Sequence, residues 1–496
     1  MATRYKLIHS GNFNDQLSQG LRWNSSTDTY TRLGAIYGIA TATSAGDGYL
    51  PIHSQMKRCM IGISGFSYYI DFTITATGYV GNPINQEGTT SFATGTATST
   101  TTGHLINTGG GFVSAGVIAG QVVHNTTNGK TTKYAVILAV AATDLTLALD
   151  IMASGDTYEI GTANYGGVDG ECMVQVPKFY YKQSVVGTVH EWYISLYNLP
   201  NFTLHPAFWR DGVEVPYRYY SAFEGSMFDA SAGTMCSSAN IPSNIYAAGD
   251  YMCSRAGQWA KTNETRASYR AMATTNWVEF RQHDYYLHSA IQLLYLIEYA
   301  SFYSQSMIGA GRTNLSGGGW TADSYIGQTG FSIKDGNGTF SVSNGTTAGF
   351  LTDYMTYRGI ENWYGNVWKF IDGITWDASA NNTSPVPVYV TGNKNYFADT
   401  GSVNMQLLCN ASYIGTDAGW SSDIMNCVGF IPSAVGASDT TKITDYYWQY
   451  NTNGQGWRAP FFGGNSKYGS YAGGFALYSD NGFAVIDVTI SARLCL

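Results

Sequence analysis

Thiols and imidazoles are the side chains of this sequence that could bind a metal ion or carry redox chemistry. Seven cysteines and eight histidines occur among 496 residues. The cysteines are scattered, odd in number and never spaced as CxxC, so we expect buried free thiols rather than a disulfide frame or a metal site. His283 and His288 are five residues apart, which places them on different faces of a helix, and no HExxH motif occurs. The cysteines are Cys59, Cys172, Cys236, Cys253, Cys409, Cys427 and Cys495.

Motifs for hydrolysis and phosphoryl transfer are missing from the sequence. There is no GxSxG nucleophile elbow and no P-loop, and the acidic residues are too scattered to nominate a glycosidase pair. We therefore predict that the protein is not an enzyme and needs no cofactor. Bound calcium is the alternative, because calcium prefers oxygen ligands and four oxygen-bearing residues lie close together, although without EF-hand spacing. These residues are Asp372, Asp377, Asn381 and Asn382.

A tyrosine-rich stretch has the composition of a recognition surface. Residues 465–481 contain almost no aliphatic side chains but many Asn, Ser, Tyr and Gly. Antibody loops use the same residue types, because Tyr supplies rigid contact area and Ser, Gly and Asn supply adaptable hydrogen bonds. The alternative is an ordinary glycine-rich connection, and in either case we expect Phe475 and Leu477 in the core. The predicted outward-facing, ligand-binding residues are Asn465, Ser466, Lys467, Tyr468, Ser470, Tyr471, Tyr478, Asp480, Asn481 and Phe483.

The composition excludes several classes of protein. Charged residues make up 12% and aromatic residues 15% of the chain, whereas disordered chains have the opposite bias. The net charge of −8 and the lack of basic runs argue against a nucleic-acid binder. No apolar stretch approaches the roughly 20 residues of a spanning helix, and residues 1–15 lack the apolar core of a signal peptide. We therefore expect synthesis in a cytosol and no membrane insertion.

Residues 73–163 are predicted to form a small all-β insert. Apolar residues recur at every second position over Tyr134–Val140 and over Leu145–Leu149. Asn128-Gly129 lies where a hairpin turn should precede the first of these strands. We expect the insert to be a spacer or a contact surface.

Two further patterns predict the framework around the tyrosine-rich stretch. The run His288–Ala300 predicts a largely buried helix, with Asp284 near the positive end of its dipole. Val485–Arg493 alternates apolar and polar residues, which predicts a half-buried strand. A buried helix against a Gly- and aromatic-rich β framework predicts an α+β fold class. The residues on the apolar face of the strand are Ile486, Val488, Ile490 and Ala492.

Two motifs and several weaker segments carry a resemblance to known proteins. The motifs are RGIENWYGNVW, which begins at Arg358, and a C-terminal part with GWRAP at Gly456 and SARLC at Ser491. They resemble the formylglycine-generating-enzyme type of C-type lectin fold, and more narrowly the ligand-binding proteins of phage tails and diversity-generating retroelements. The segments Val174–Tyr181 and Leu204–Phe208, and the predicted helix, are similar to segments of phage tail proteins. The insert looks like a small β module of phage structural proteins.

The resemblance implies an organisation and a function. Residues 1–72 would attach to the virion and begin the lectin-like domain, and residues 164–496 would complete it, with a variable region at 454–496. The protein would be a phage tail receptor-binding protein, made in the host cytoplasm and located at the tail tip or fibre of the virion. It would bind a host cell-surface protein or glycan and other tail proteins as a homotrimer, without nucleic acid. Its C-terminal part would be diversified by a retroelement.

Two alternatives from other classes stay open. A formylglycine-generating-type oxidoreductase would need two thiols close together near the terminal strand, where Cys495 lies, whereas Cys409 and Cys427 are distant and in dissimilar contexts. A structural baseplate protein would bury the tyrosine-rich stretch against another virion protein. Exposure of Tyr468 and Tyr471 in the particle distinguishes that protein from a receptor-binding one.

We interpret the RGIENWYGNVW motif itself as framework rather than as a site. Its glycines permit a close approach or an unusual φ angle, and Val367 flanked by Trp368 is typical of a buried strand. The side chains of Glu361 and Asn362 can tie down loop backbone through hydrogen bonds.

Overall fold

The computed structural model describes residues 16–71, 73–75, 78–129, 133–237, 245–315, 326–335, 338–342, 353–379, 385–411, 419–449 and 456–496. Antiparallel sheets dominate this part of the chain, in which strands make up 36% and helices 13%. Its four α-helices are α1 (Phe112–Ala115), α2 (Arg266–Asn276), α3 (Tyr285–Tyr299) and α4 (Ser304–Ile308).

The α+β fold class predicted from the sequence is therefore wrong, and the protein has a β-rich fold. The predicted helix exists as α3, but it is 15 residues long and the other described helices have 11, 5 and 4 residues. They do not add up to a helical layer, and sheets supply most of the core. None of the described helices is long and apolar enough to cross a bilayer.

The strands are numbered here in chain order. Up to residue 160 the strands are β1 (Gln19–Asn24), β2 (Thr29–Gly34), β3 (Lys57–Gly62), β4 (Gly65–Tyr69), β5 (Thr73–Thr75), β6 (Gly78–Val80), β7 (Ala93–Thr96), β8 (His104–Ile106), β9 (Val122–Asn125), β10 (Tyr134–Val140), β11 (Asp144–Leu147) and β12 (Thr157–Ile160). The next strands are β13 (Glu171–Pro177), β14 (Tyr180–Val186), β15 (Val189–Ser195), β16 (Thr203–Leu204), β17 (Trp209–Arg210), β18 (Val213–Glu214), β19 (Tyr217–Ser221), β20 (Ser226–Asp229), β21 (Thr234–Met235), β22 (Tyr251–Cys253) and β23 (Arg281–Gln282). The remaining strands are β24 (Phe340–Val342), β25 (Tyr354–Tyr357), β26 (Ile360–Glu361), β27 (Trp368–Phe370), β28 (Ile374–Ala378), β29 (Val386–Val390), β30 (Gln406–Ala411), β31 (Gly419–Ile424), β32 (Pro432–Val435), β33 (Tyr446–Trp448), β34 (Gly456–Arg458), β35 (Phe461–Phe462), β36 (Leu477–Tyr478), β37 (Ile490–Ser491) and β38 (Leu494–Cys495).

The four largest sheets outside the insert form most of the β framework. One has the order β16-β14-β15-β1-β2 and another the order β23-β38-β19-β13-β3-β4. The third has seven strands in the order β32-β31-β33-β36-β35-β27-β37, and the fourth has the order β30-β29-β28-β34. Strands before residue 72 and after residue 164 pair directly, because β1 lies beside β15 and β3 lies beside β13.

Residues 93–160 form a six-stranded sheet of their own, in the order β7-β12-β9-β10-β11-β8. A separate apolar cluster fills it, with Leu105, Val123 and Leu145 fully buried. The alternation predicted along β10 stops before its end, because the pairing of β10 with β11 shifts register after Ile137. Leu138 is therefore 45% exposed rather than buried, as a bulge re-aims the side chains that follow it.

Helix α3 begins at Tyr285, three residues before the predicted run His288–Ala300, and Asp284 lies at its start as predicted. Asp284 is its N-cap, and the carboxylate accepts a hydrogen bond from the Leu287 backbone N–H at 3.0 Å. The Arg218 guanidinium pairs with the same carboxylate at 2.6 Å in a site where both side chains are almost fully buried. All residues of the helix are buried except Tyr286, so the prediction of a largely buried helix is confirmed.

The half-buried strand predicted over Val485–Arg493 is wrong for most of its length. Only β37 is a strand within these residues, and Ile486 is 54% exposed. The cause is Asp487, whose carboxylate accepts hydrogen bonds from the Thr489 backbone N–H and hydroxyl, both at 2.7 Å. Such a local side-chain bond gives the backbone an alternative to a sheet ladder.

Candidate ligand-binding surface

The RGIENWYGNVW motif is buried and holds neighbouring loops. The Glu361 carboxylate accepts hydrogen bonds from the backbone N–H of Gly330 at 2.8 Å and from the backbone N–H and hydroxyl of Ser332 at 2.7 and 2.6 Å. Burial raises the pKa of Glu361, and these donors oppose that rise. The prediction that Glu361 ties down loop backbone is confirmed. Trp363 and Trp368 are each 2% exposed, so both are framework.

Side-chain amides from the two helices fix the backbone of the tyrosine-rich stretch. Gln292 of α3 donates to the Gly474 carbonyl at 2.8 Å. Gln305 of α4 donates to the carbonyls of Gly469 and Ala472, at 2.8 and 2.7 Å. Because both glutamines belong to packed helices, the stretch is held in one conformation by rigid elements.

Asp445 holds the same stretch from the other side. Its carboxyl oxygen Oδ2 accepts a hydrogen bond from the Phe475 backbone N–H at 2.7 Å. A Cβ on Gly473 would lie 2.1 Å from Asp445 Oδ1, so glycine is needed for this close approach. Burial raises the pKa of Asp445 to about 8, which keeps its carboxyl protonated at neutral pH.

Three of the ten predicted outward-facing residues are buried, and their prediction is wrong. Asn465 and Ser466 are each 1% exposed and Asp480 is 4% exposed. The Asn465 carbonyl oxygen (Oδ1) accepts the Lys467 backbone N–H at 3.0 Å and so shapes a turn. The Ser466 backbone N–H donates to the Asn366 carbonyl at 3.0 Å, which joins this turn to the buried motif.

The other seven predicted residues reach the surface to different degrees. Ser470 and Tyr471 are exposed, and Tyr471 is 39% exposed. The half-buried members are Lys467, Tyr468, Tyr478, Asn481 and Phe483. Phe483 packs under the Arg266 guanidinium, which lies 4.8 Å from its ring centre. Phe475 and Leu477 are 4% and 0% exposed, as predicted for core residues.

Six partly exposed rings meet where the tyrosine-rich stretch contacts strands β31, β33 and β36 of the seven-stranded sheet, and we name them the aromatic face. The ring centres of Tyr446 and Tyr471 are 4.5 Å apart, and those of Trp448 and Tyr468 are 5.2 Å apart. These distances are typical of direct aromatic contact. The members of the aromatic face are Trp420, Tyr446, Trp448, Tyr468, Tyr471 and Tyr478.

Three of the six members of the aromatic face were not predicted from the sequence. Trp420 lies in β31, and Tyr446 and Trp448 lie in β33, all outside the tyrosine-rich stretch. Tyr446 and Trp448 are two positions apart in one strand, so their side chains point to the same side. This spacing of two aromatic residues in one strand could have indicated them. The residues next to Trp420 in the sequence give no indication of its contacts with Tyr446 and Tyr471.

A buried layer of rings lies beneath the aromatic face. The Phe461 ring stacks on Tyr478 with centres 4.6 Å apart and an angle of 11° between the rings. The Trp368 ring contacts Tyr468 edge-on, with centres 5.2 Å apart. Phe461 and Trp368 are each 2% exposed. The surface rings are therefore supported from below and have little freedom to rearrange.

Hydroxyl groups add polar chemistry to the aromatic face. The Tyr478 hydroxyl donates to Asp480 Oδ2 at 3.4 Å. Burial and the neighbouring carboxylates of Asp480 and Asp487 raise the pKa of Tyr478, and burial raises that of Tyr468. Both hydroxyls stay protonated, the proton of Tyr478 is donated to Asp480, and both hydroxyl oxygens can accept hydrogen bonds. The face thus offers flat apolar rings with polar hydroxyl groups at their edges.

Of the four oxygen-bearing residues named from the sequence, Asp372 and Asp377 lie among the described residues, and both carboxylates accept hydrogen bonds. The Asp372 carboxylate is fully buried and paired with the Arg270 guanidinium at 2.5 and 2.9 Å. Asp377 accepts the Ser379 backbone N–H at 3.1 Å, while Asn381 and Asn382 lie outside the described residues. Across the described ranges, no group of three or more His, Cys, Asp or Glu side chains is placed to hold a metal ion.

All seven cysteines are free, and five of them are buried. Cys495 has Arg218, Gln282 and Asp284 as its neighbours, and burial raises its pKa to about 11. Cys427 and the half-buried Cys409 pack into the same apolar cluster as Val388.

No family model matches this chain, and no curated protein matches it. The resemblance carried by RGIENWYGNVW and the C-terminal motifs stays a prediction.

Proposed function

We propose that the protein is a phage tail receptor-binding protein that recognises a host cell-surface protein or glycan through the aromatic face. The observation that carries the proposal is the convergence of six partly exposed Trp and Tyr rings, from separate parts of the chain, over a buried ring layer. Large rigid rings with hydroxyl donors supply binding area at small entropy cost. In this proposal the protein acts by non-covalent recognition and is not an enzyme.

The supports beneath the aromatic face favour tight recognition. The Gln292, Gln305 and Asp445 contacts fix the backbone before any ligand arrives. Binding then costs little ordering of loops, so more of the contact energy contributes to affinity. Tyr471, as the most exposed member of the face, is the ring best placed to touch a ligand first.

We place the protein at the tail tip or fibre of the virion, as a homotrimer that also contacts other tail proteins. Several copies on one particle would raise avidity through effective concentration, without any new contact in a single site. Diversification of the C-terminal part by a retroelement is a separate proposal. It predicts a second, near-identical copy of the 3′ end in the flanking DNA, and sequencing of that DNA tests it.

The test is binding of labelled full-length protein to host cells, for the parent and for Tyr446→Ala/Tyr471→Ala. Truncating a central aromatic contact costs about 1–2 kcal/mol or more, so the double variant should bind at least about tenfold more weakly. Tyr49 and Tyr197 are each 56% exposed and lie outside the aromatic face. Tyr49→Ala/Tyr197→Ala is therefore the matched control and should bind like the parent.

Two measurements make the result decisive. Circular dichroism and Tm of both double variants show whether the fold is intact. An intact Tyr446→Ala/Tyr471→Ala protein that binds host cells like the parent contradicts the proposal. Burial of Tyr471 in the assembled virion also contradicts it, because that outcome identifies a structural tail or baseplate protein.

A further inference from the structure

A lysine amine, a glutamate carboxylate and an asparagine amide meet inside the protein, at the end of the RGIENWYGNVW motif. The Nζ atom of Lys369 lies 3.0 Å from Glu224 Oε1, and the side-chain amide of Asn366 donates a hydrogen bond to Glu224 Oε2. None of the three residues is more than 2% exposed. One buried carboxylate therefore bridges a nucleophile and an amide that could acylate it.

Lys369 has the surroundings of a reactive amine. Its Nζ donates to the Gly365 carbonyl at 2.6 Å, which holds the side chain beside the loop that carries Asn366. Burial lowers the pKa of Lys369 to about 8, so a fraction of the amines is uncharged at neutral pH. A desolvated, uncharged lysine is a nucleophile, whereas the ammonium form is not.

The Asn366 amide is placed to react with such an amine. Its Oδ1 accepts the Gly327 backbone N–H at 2.7 Å, and a donor in this place stabilises the negative charge that develops on a carbonyl oxygen under attack. Its Nδ2 is bonded to Glu224, which can protonate it as it leaves. The amide of Asn362 also reaches Glu224 Oε2, at 3.3 Å, but its Oδ1 has no hydrogen-bond partner among the described residues. Asn366 is therefore the better acceptor.

We propose that Lys369 and Asn366 form an intramolecular isopeptide bond, with Glu224 as the catalytic base and acid. Glu224 takes a proton from Nζ, and the uncharged amine attacks Asn366 Cγ to form the new C–N bond. The Cγ–Nδ2 bond then breaks. Of the three protons of the Lys369 ammonium, one stays on the new amide and Glu224 passes two to Nδ2, which departs as ammonium. Glu224 is unchanged at the end, and no oxidant or co-reactant is needed.

A second buried lysine supplies an internal comparison. Lys261 is also 2% exposed, and its Nζ lies 3.0 Å from Glu264 Oε1. The Glu264 carboxylate accepts the Tyr246 backbone N–H at 2.6 Å, and no side-chain amide of the described residues bonds to it. Lys261 therefore has a carboxylate but no amide to attack, and we expect it to stay a free amine.

The bond would close the framework beneath the aromatic face. Lys369 lies in β27, which pairs with β35 and β37. The same strand carries Trp368, whose ring contacts Tyr468. A covalent bond would join the loop at Asn366 to this strand. Its formation is a single reaction of the chain with itself, and it does not depend on recognition of a host.

The experiment measures the intact mass of the purified full-length protein and maps its tryptic peptides by tandem mass spectrometry. We expect the protein to be lighter than its sequence mass by one ammonia molecule. Trypsin cuts only after lysines and arginines with free side chains, so it should cut after Lys261 but not after Lys369. Fragment ions should join Lys369 to Asn366.

Three variants separate the roles of the residues, with circular dichroism and Tm as the check on folding. Glu224→Gln keeps the shape of the side chain but cannot take a proton, and Lys369→Arg keeps the charge without the amine. Both should have the full sequence mass. Asn362→Gly suits the φ of +48° at that position, and it should still lose one ammonia molecule.

Several outcomes would overturn the proposal. A parent protein of full sequence mass does so whatever the variants show. Loss of ammonia with normal cleavage after Lys369 also does so, because it identifies a cyclic imide at an asparagine. A bond from Lys369 to Asn362 overturns the assignment of Asn366, and a bond that forms fully in Glu224→Gln overturns the catalytic role of Glu224.

Discussion

Replacing Asp445 by Asn should stabilise the protein at neutral and alkaline pH. The carboxyl is 1% exposed and lies beneath the tyrosine-rich stretch, where it accepts the Phe475 backbone N–H. Burial raises its pKa from 3.8 to about 8. The Asn amide has the shape of the protonated carboxyl and keeps an oxygen for the Phe475 donor, but it cannot ionise.

The sign and the size of the stability change follow from the pKa of Asp445 in the unfolded and in the folded protein. Below about pH 4 the carboxyl is protonated in both the folded and the unfolded protein, so it has no pH-dependent effect. Between about pH 4 and pH 8 the unfolded chain ionises and the folded protein does not, and stability falls as the pH rises. The difference between 3.8 and about 8 corresponds to roughly 6 kcal/mol at about 1.4 kcal/mol per pKa unit. Above about pH 8 the loss of stability caused by Asp445 no longer changes with pH.

The assay is urea denaturation followed by tryptophan fluorescence at pH 4.5, 6 and 8, for the parent and Asp445→Asn. All other titrating groups are common to the two proteins, so the difference between their unfolding free energies isolates Asp445. We expect near-equal stability at pH 4.5, an advantage of about half the full value for the variant at pH 6, and the full advantage at pH 8. A difference that does not change with pH would refute the reasoning.

Three further variants test other parts of the account. Arg358→Met should lower the free energy of unfolding, measured by denaturant melts, by about 3–5 kcal/mol. The buried Glu298 carboxylate would lose the guanidinium that lies 2.5 Å from it. An unchanged free energy of unfolding would contradict this ion pair. Gly170→Ala should lower Tm and reduce the free energy of unfolding by more than about 1 kcal/mol. The reason is that φ of Gly170 is +116° and an alanine Cβ would lie 2.3 Å from the Ile61 carbonyl oxygen. An unchanged Tm would argue against this backbone strain. Trp420→Ala should weaken host-cell binding, as Tyr446→Ala/Tyr471→Ala does. Binding equal to that of the parent would show that Trp420 does not contribute to the binding surface.

Local signals were predicted well from the sequence. Helix α3 and its cap at Asp284 depend on periodicity and on one side chain within the first turn, both of which are readable in a short window. Phe475 and Leu477 were recognised as core because they stand out between small residues. The β10 strand was found for the same reason, and only the bulge after Ile137 escaped, since it depends on the partner strand.

Long-range contacts account for what was predicted wrongly. Asn465, Ser466 and Asp480 have the composition of a surface but are buried. The Ser466 backbone hydrogen bonds to Asn366 and Leu315, which lie far from it in the sequence. Trp420 and Tyr446 join Tyr471 only through the pairing of the seven-stranded sheet. The fold class failed because one clear helix was taken as a sign of a helical layer, whereas the many short strands give weak local signals.

The most direct test of the central claim is hydroxyl-radical footprinting of the full-length protein with and without host envelope. We expect oxidation of Trp420, Tyr446, Trp448 and Tyr471 to fall in the presence of envelope, while oxidation of Tyr49 and Tyr197 does not change. Protection of Tyr49 or Tyr197, with none on the aromatic face, would contradict the account.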